Sequence, residues 1–587
     1  MLLRTTGLLG LLTLLLSPSA LAGTLFVDAN LTTGLNDGSS WADAFQGPDG
    51  LQAALVIAVA GDRVFAAQGT YRPTSTGSRT ESFRPLDNVE VYGGFVGTEA
   101  APAERPPFGT APSIMSGDLL GDDNSGGSVA ENSNHVIRGN GVGPSAIIDG
   151  FTVSGGNANS TGGNNDRGGG IICGGGSSPT LRNCLFTLSR CTFGGGAGYV
   201  TASTSAPSFS DCQFIDNLGG SFGGAFDIAQ AGNVRYERCR FRGNSAARAG
   251  ALEIFSTGGV VVSNCEFVDN TASGGSGGGA FWIGSGGNTT IVNCSVVDNH
   301  SLAQNIGGIR VSGATVTVSN SIIWNNTGPG GAHSGATQVD AAAGVTWSLV
   351  EGGFGGAGNV SGDPQFQDQV GGDLSLTATS PAIDAGSNGL VVTGVTLDLA
   401  RNPRFVDQPS VPDTGSGTAP IVDMGALELA GGSPVTVFCA GDGGGAACPC
   451  SNTGAAGHGC GNGTFAAGAQ LAGSGSASVS NDTLTLTVTQ STPGAPGVFF
   501  QGDNVLAGGN GVAFGDGLMC TGSGICRIQV AFADGSGSAS SSISISVKCS
   551  VLAGQRKRMQ WWYRDAALSP CGNGFNVSNG VEAIWLP

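Results

Sequence analysis

The chain has 587 residues, with 24 Lys and Arg against 42 Asp and Glu for a net charge of −18. That balance excludes nucleic acid and anionic membrane surfaces as expected partners. Glycine is extreme at 105 residues and charged residues make up only 11%, yet 40% of the chain is hydrophobic with regular β-branched runs, which predicts a glycine-turned β-fold rather than disorder. With so much glycine, GxGxxG-like strings arise by chance and carry no weight as phosphate loops.

In chain order, residues 1–22 read as a secretory signal. Arg4 gives the positive start, Leu8 to Leu16 the short apolar core, and Ala20-Leu21-Ala22 the small-x-small cleavage pattern. No later segment approaches the roughly 20 apolar residues of a spanning helix, so the expected destination is secretion or the cell surface, without a membrane span. Residues 23–140 are expected to hold an N-terminal cap and the first coils. Within them, "PDGLQAALVIAVAGDRVFAAQGTY" predicts a helix from about Asp49 to Ala60 and a strand from Arg63, with Leu51, Ala54, Leu55 and Ala58 turned to the core. In "SGDLLGDDNSGG", Asp118, Asp122, Asp123 and Asn124 offer oxygen ligands suited to calcium. Their spacing matches no defined calcium loop, and a solvated turn is the plainer expectation.

Residues 141–350 are periodic. "RNCLF" at Cys184 is followed by "SDCQFIDN" at Cys212, "ERCRFRGN" at Cys239, "SNCEFVDN" at Cys265 and "VNCSVVDN" at Cys294, at intervals of 28, 27, 26 and 29 residues. Ser321 and Ser348 continue the register, and each unit repeats a Gly-Gly-small marker such as "GGAFDI", "AGALEI" and "GGAFWI". Three short strands with corners in every unit describe one coil of a right-handed parallel β-helix, stacked at about 4.8 Å. Asn183, Asp211, Asn264, Asn293 and Asn320 suit the corner before the Cys or Ser position, with Arg238 breaking the row. Phe186, Phe214, Phe241 and Phe267 predict an internal aromatic ladder beside a buried ladder of free thiols.

Several segments carry a resemblance. "LFVDANLTTGLNDGSSWADAF", "GDRVFAAQGTYRPT", "VYGGFVGTE" and "IDGFTVSGGNA" resemble the opening of bacterial secreted pectin-lyase-like β-helix proteins. The GGA and Phe-x-x-Asn repeats resemble those of chlamydial polymorphic outer-membrane proteins. "SPAIDAGS" and "VDMGALE", within residues 351–428, resemble the end module of choice-of-anchor surface proteins. Together these imply a surface or secreted role. The chain ends in "GVEAIWLP" with no barrel-like strand series, sorting signal or anchor helix, so the mode of attachment is not supplied.

Residues 429–436 read as a linker and 437–587 as a Cys-rich antiparallel β-sandwich, on the alternation of "NDTLTLTVTQ" and "SSISISVKC". The unit is similar to a C-terminal module of secreted planctomycete proteins. Its eight cysteines are expected in disulfides of unassigned pairing, with zinc on Cys448, Cys450, His458 and Cys460 as the weaker alternative. The fold class expected overall is all-β, a pectin-lyase-like β-helix followed by a smaller antiparallel β-sandwich.

Strand alternation turns Phe226, Ile228, Leu252, Ile254, Phe281 and Ile283 inward, and therefore Tyr199, Asp227, Glu253, Trp282 and Arg310 outward in one column. Aromatic faces stack on sugars and paired carboxylates serve as acid and base. The column is thus the candidate for contact with an extracellular or cell-envelope glycan, with Asp227 and Glu253 as the catalytic pair if the protein is an enzyme. An ordinary solvated face, or a loop near His300 to Asn305 folded over Trp282, is the plain alternative. The NTD, DD, GHG and RxK series of polygalacturonases and the RxPxxR of pectate lyases are missing. The expected function is non-catalytic, structural or adhesive with glycan contact, and no cofactor is called for unless calcium; the alternative is a polysaccharide lyase or glycoside hydrolase.

Overall fold

The computed structural model describes residues 22–585, apart from 257, 285, 287, 332–334, 409–410, 430–433, 476, 480–481 and 567–568. The export signal read in residues 1–22 therefore lies, but for Ala22, outside the described residues, as does the middle of the expected linker.

Three parallel sheets wind into a right-handed β-helix. Among the described residues the first has twelve strands, the second ten and the third seven. Each coil runs from a third-sheet strand such as Phe226–Ala229 to a first-sheet strand such as Val234–Glu237, then to a second-sheet strand such as Arg240–Arg242. Between residues 147 and 350 the first and second sheets each contribute eight strands, which gives eight stacked coils.

The repeated residues explain the coil. Every position before the Cys or Ser residue is left-handed, Asn183 (φ 49°) to Asn320 (φ 49°), and Arg238 adopts the same conformation (φ 51°) despite its unlike side chain. The second glycine of the Gly-Gly-small marker answers to close backbone approach. A Cβ on Gly224 would stand 2.0 Å from the Gly250 carbonyl oxygen, and one on Gly250 would stand 2.1 Å from that of Gly279. Inside, Phe186, Phe214, Phe241 and Phe267 stack at 5.3, 4.7 and 4.5 Å between ring centres. Cys184, Cys212, Cys239, Cys265 and Cys294 are free and buried beside them. Burial pushes the Cys212 and Cys265 thiols well above their usual range.

At the second corner a row of buried asparagines links the coils. The Asn244 side-chain amide donates to Asn270 Oδ1 at 2.9 Å, Asn270 to Asn299 Oδ1 at 2.9 Å, and Asn299 to Asn326 Oδ1 at 2.9 Å. Each also donates to a phenylalanine or valine carbonyl of the preceding coil. This row satisfies the polar groups that a tight corner would otherwise bury unpaired.

The helix Gly50–Ile57 covers the start of the core with Leu51, Ala54 and Leu55. It ends three residues before the expected Ala60, because Ala58 is already extended (ψ 138°) and leads into the turn at Gly61. At the other end Phe354 packs on the core, and Ala357 and Val360 extend the pairing of the last coil. Residues 365–428 then return along the outside. Asn264 and Asn320 of the first corner donate to the Leu397 and Ser387 carbonyls, and Arg401 reaches Asp211 and Asn183. The corner residues thus serve both the bend and this strap.

The Cys-rich unit is antiparallel. A sheet containing Pro496–Gly502, Cys526–Phe532 and Arg556–Arg564 faces a smaller one built on Gln470–Ser474 and Thr485–Thr489. Trp561, Met559, Phe499, Leu486 and Val488 fill the space between. "SSISISVKC" is not the expected strand. Ile545–Cys549 is a short helix, because the Ser544 side chain accepts from the Val547 amide as an N-cap. The eight cysteines pair as 439–520, 448–460, 450–571 and 526–549. That removes the zinc alternative, and His458 Nδ1 lies 2.9 Å from the Gly468 carbonyl. Four disulfides fit an extracellular protein. Among the described residues no helix is long and apolar enough to cross a membrane.

Candidate functional site: a roofed charge column

The register of the column is as expected. Tyr199 pairs with Asp227, Asp227 with Glu253, Glu253 with Trp282, and Trp282 with Arg310, on five neighbouring strands of the third sheet. The inward residues Phe226, Ile228, Leu252 and Phe281 are fully buried on the opposite face.

Exposure differs from expectation. Asp227 is 2% exposed, Glu253 1%, Tyr199 6% and Trp282 9%. The segments that enter the third sheet fold back over it and bring a roof of arginines and aromatics. Arg167 lies 3.9 Å from the Phe193 ring centre and 5.0 Å from that of Tyr199. Arg248 is held between Phe222 at 4.2 Å and Trp282 at 4.0 Å. Phe193 meets Phe222 edge to face at 4.7 Å. The open aromatic platform expected around Trp282 is therefore corrected. A guanidinium occupies the face that a sugar ring would need, and it comes from Arg248 rather than from the segment near His300.

Charge explains the roof. Two carboxylates on adjacent strands repel, and two arginines answer them. Arg167 Nη1 donates to Asp227 Oδ2 at 3.1 Å, and Arg248 pairs with Glu253. Arg310, the most exposed member with a side chain 33% accessible, approaches Asp340 at 3.7 Å. Burial, and then the neighbouring Glu253, push the Asp227 carboxyl up to about 7, against the pull of Arg167 and Arg248. Burial also raises Glu253, opposed by Arg248. Glu253 Oε2 is buried without a hydrogen-bond partner. Chemically the pair has the raised pKa of a proton donor, but both carboxyls are buried beneath the arginine roof.

Sequence reasoning missed Arg167, which lies on a connecting segment without repeat register. Among the described histidines, His135 is 1% exposed and is lowered to about 4 by burial. Asp118, Asp122 and Asp123 do come together, and Glu131 joins them, with one oxygen of each within 4.8 Å of the others.

A family described as right handed beta helix region matches residues 120–274 and 224–340. No curated protein matches. A solved structure titled crystal structure of pectate lyase Pel9A aligns at 15% identity over 69% of this chain and 96% of that one, with a TM-score of 0.36. The family match spans the coils that carry the column, and this part of the chain is a right-handed parallel β-helix.

Proposed function

We propose that the protein is a non-catalytic extracellular β-helix, a structural or adhesive element of the cell surface. One observation carries this: the only paired carboxylates in the column are sealed beneath Arg167 and Arg248 at 1–2% exposure. An active site needs its acid and base within hydrogen-bond reach of a substrate, whereas a closed and charge-balanced column is what a scaffold requires. Contact with an extracellular or cell-envelope glycan then falls to the open end of the column at Arg310. The disulfide-bonded C-terminal unit serves sorting, attachment or protection, in keeping with its four disulfides.

A polysaccharide lyase or glycoside hydrolase is the competing function, favoured by the Asp227 carboxyl near 7 beside a second raised acid. Incubating the purified protein with acidic and neutral polysaccharides decides between them. No reducing ends and no unsaturated-uronide absorbance are expected. Product formation that disappears in Asp227→Asn or Glu253→Gln would overturn the scaffold.

A further inference from the structure

The loop 117–132 connects the second-sheet strand Ser113–Ser116 to the third-sheet strand Ile137–Asn140. It holds four carboxylates, Asp118, Asp122, Asp123 and Glu131, with one oxygen of each within 4.8 Å of the others. None of the four forms an ion pair among the described residues. Asp118 is held by the backbone amides of Gly121, Asp122 and Asp123, which fixes its orientation. Asp122 Oδ1, Asp123 Oδ1 and Glu131 Oε1 are buried and have no hydrogen-bond partner. A second observation points the same way. Asn132 is 1% exposed and lies against the cluster, its Nδ2 donating to Asp123 Oδ2 at 2.8 Å, yet Oδ1 of the same amide is also unpartnered.

Buried polar atoms are almost always paired. Four carboxylates that bring one oxygen each within 4.8 Å, with a buried unpartnered amide oxygen beside them, call for a cation, and an all-oxygen set with irregular spacing suits calcium, which accepts six to eight oxygens in flexible geometry. Magnesium demands a near-ideal octahedron at shorter distances. We infer that Asp118, Asp122, Asp123, Glu131 and the Asn132 side-chain oxygen form a calcium site that pins this loop to the first coils of the β-helix.

The test uses the full chain freed of metal with chelator, titrated with calcium chloride or magnesium chloride by calorimetry and thermal unfolding. Calcium should bind with a dissociation constant of about 1 mM or tighter and raise the melting temperature, with magnesium much weaker. Asp122→Asn with Glu131→Gln should weaken binding by about 100-fold or more. In metal-free buffer that variant should melt no lower than the parent, because repulsion is relieved. The single variant Glu131→Gln gives the same direction if the double variant folds poorly. The acidic cluster Asp384, Asp407 and Asp413 provides the control, and Asp413→Asn should leave the calcium effect intact. The inference is overturned if about 10 mM calcium leaves the parent unchanged, if the effect survives in the loop variants, or if it is lost in Asp413→Asn instead.

Discussion

Replacing Arg248 by methionine tests whether the roofed column is a stabilising device. Methionine keeps the stem that packs between Phe222 and Trp282 and removes only the charge. Glu253, whose side chain is 2% exposed, then loses its partner, while Arg248 itself was 25% exposed. Removing one partner of a fully buried pair costs about 3–5 kcal/mol. Water access to Arg248 and the nearby Arg167 reduce this to about 2–4 kcal/mol at pH 8. The loss has a pH signature. The Glu253 carboxyl is already raised in the folded state, and without Arg248 it rises further. A carboxyl raised on folding holds its proton better in the native state, so its contribution is fully present below the unfolded value of about 4 and is lost as pH rises through the folded value. The deficit of the variant should therefore be small near pH 5 and grow toward pH 8. Urea unfolding at both pH values, with hydrogen exchange at the Asp227 and Glu253 amides as the local readout, measures it. Adding Glu253→Gln to Arg248→Met should recover most of the loss. A deficit below about 1 kcal/mol at pH 8, or one that acidification leaves unchanged, would refute the reasoning.

Two further outcomes are expected. Asn270→Ala removes a side chain that bonds the Phe241 carbonyl, Asn299 Oδ1 and both amide groups of Asn244; it should cost about 3–5 kcal/mol through the buried groups left unpaired, whereas Asn233→Ala, on an exposed turn, should stay within about 0.5 kcal/mol. In alkylation mapping, the buried thiols from Cys173 to Cys294 should react only after unfolding, and Cys439 to Cys571 only after reduction; native reactivity at Cys212 or Cys239 would contradict the closed core.

The coils were legible because each repeats one physical requirement. A corner needs a left-handed residue, so Asn, Asp or Gly recurs there; backbone approach excludes a Cβ, so glycine recurs at 224, 250 and 279. Alternation also placed Tyr199, Asp227, Glu253, Trp282 and Arg310 on one line. What alternation does not encode is what lies above a sheet face. Arg167 and Phe193 sit in connecting segments of unequal length, and only the fold shows that they close over the column. Glu131 escaped for a related reason: it lies eight residues from Asp123, and a 3₁₀ turn at Val129–Glu131 brings it back. The Ser-rich "SSISISVKC" alternated like a strand, but a single serine cap outweighed the alternation.

The segment that closes the last coil has a consequence for length. In a stack of in-register strands each coil is a template for the next, and nothing within the repeat counts how many there should be. The chain ends the series by substitution. Asn359 takes the place of the next residue in the Cys/Ser row, accepting from the Ser348 amide and donating to the Val345 carbonyl, and Val360 pairs where another strand would begin. The edge of the last second-sheet strand, which could recruit a second molecule, is thereby paired from within. Length is set instead from outside, by the returning segment: Leu397, Ser387 and Arg401 meet the corners at Asn264, Asn320, Asp211 and Asn183, so a coil gained or lost between Cys212 and Cys294 would carry these partners out of step by about 4.8 Å.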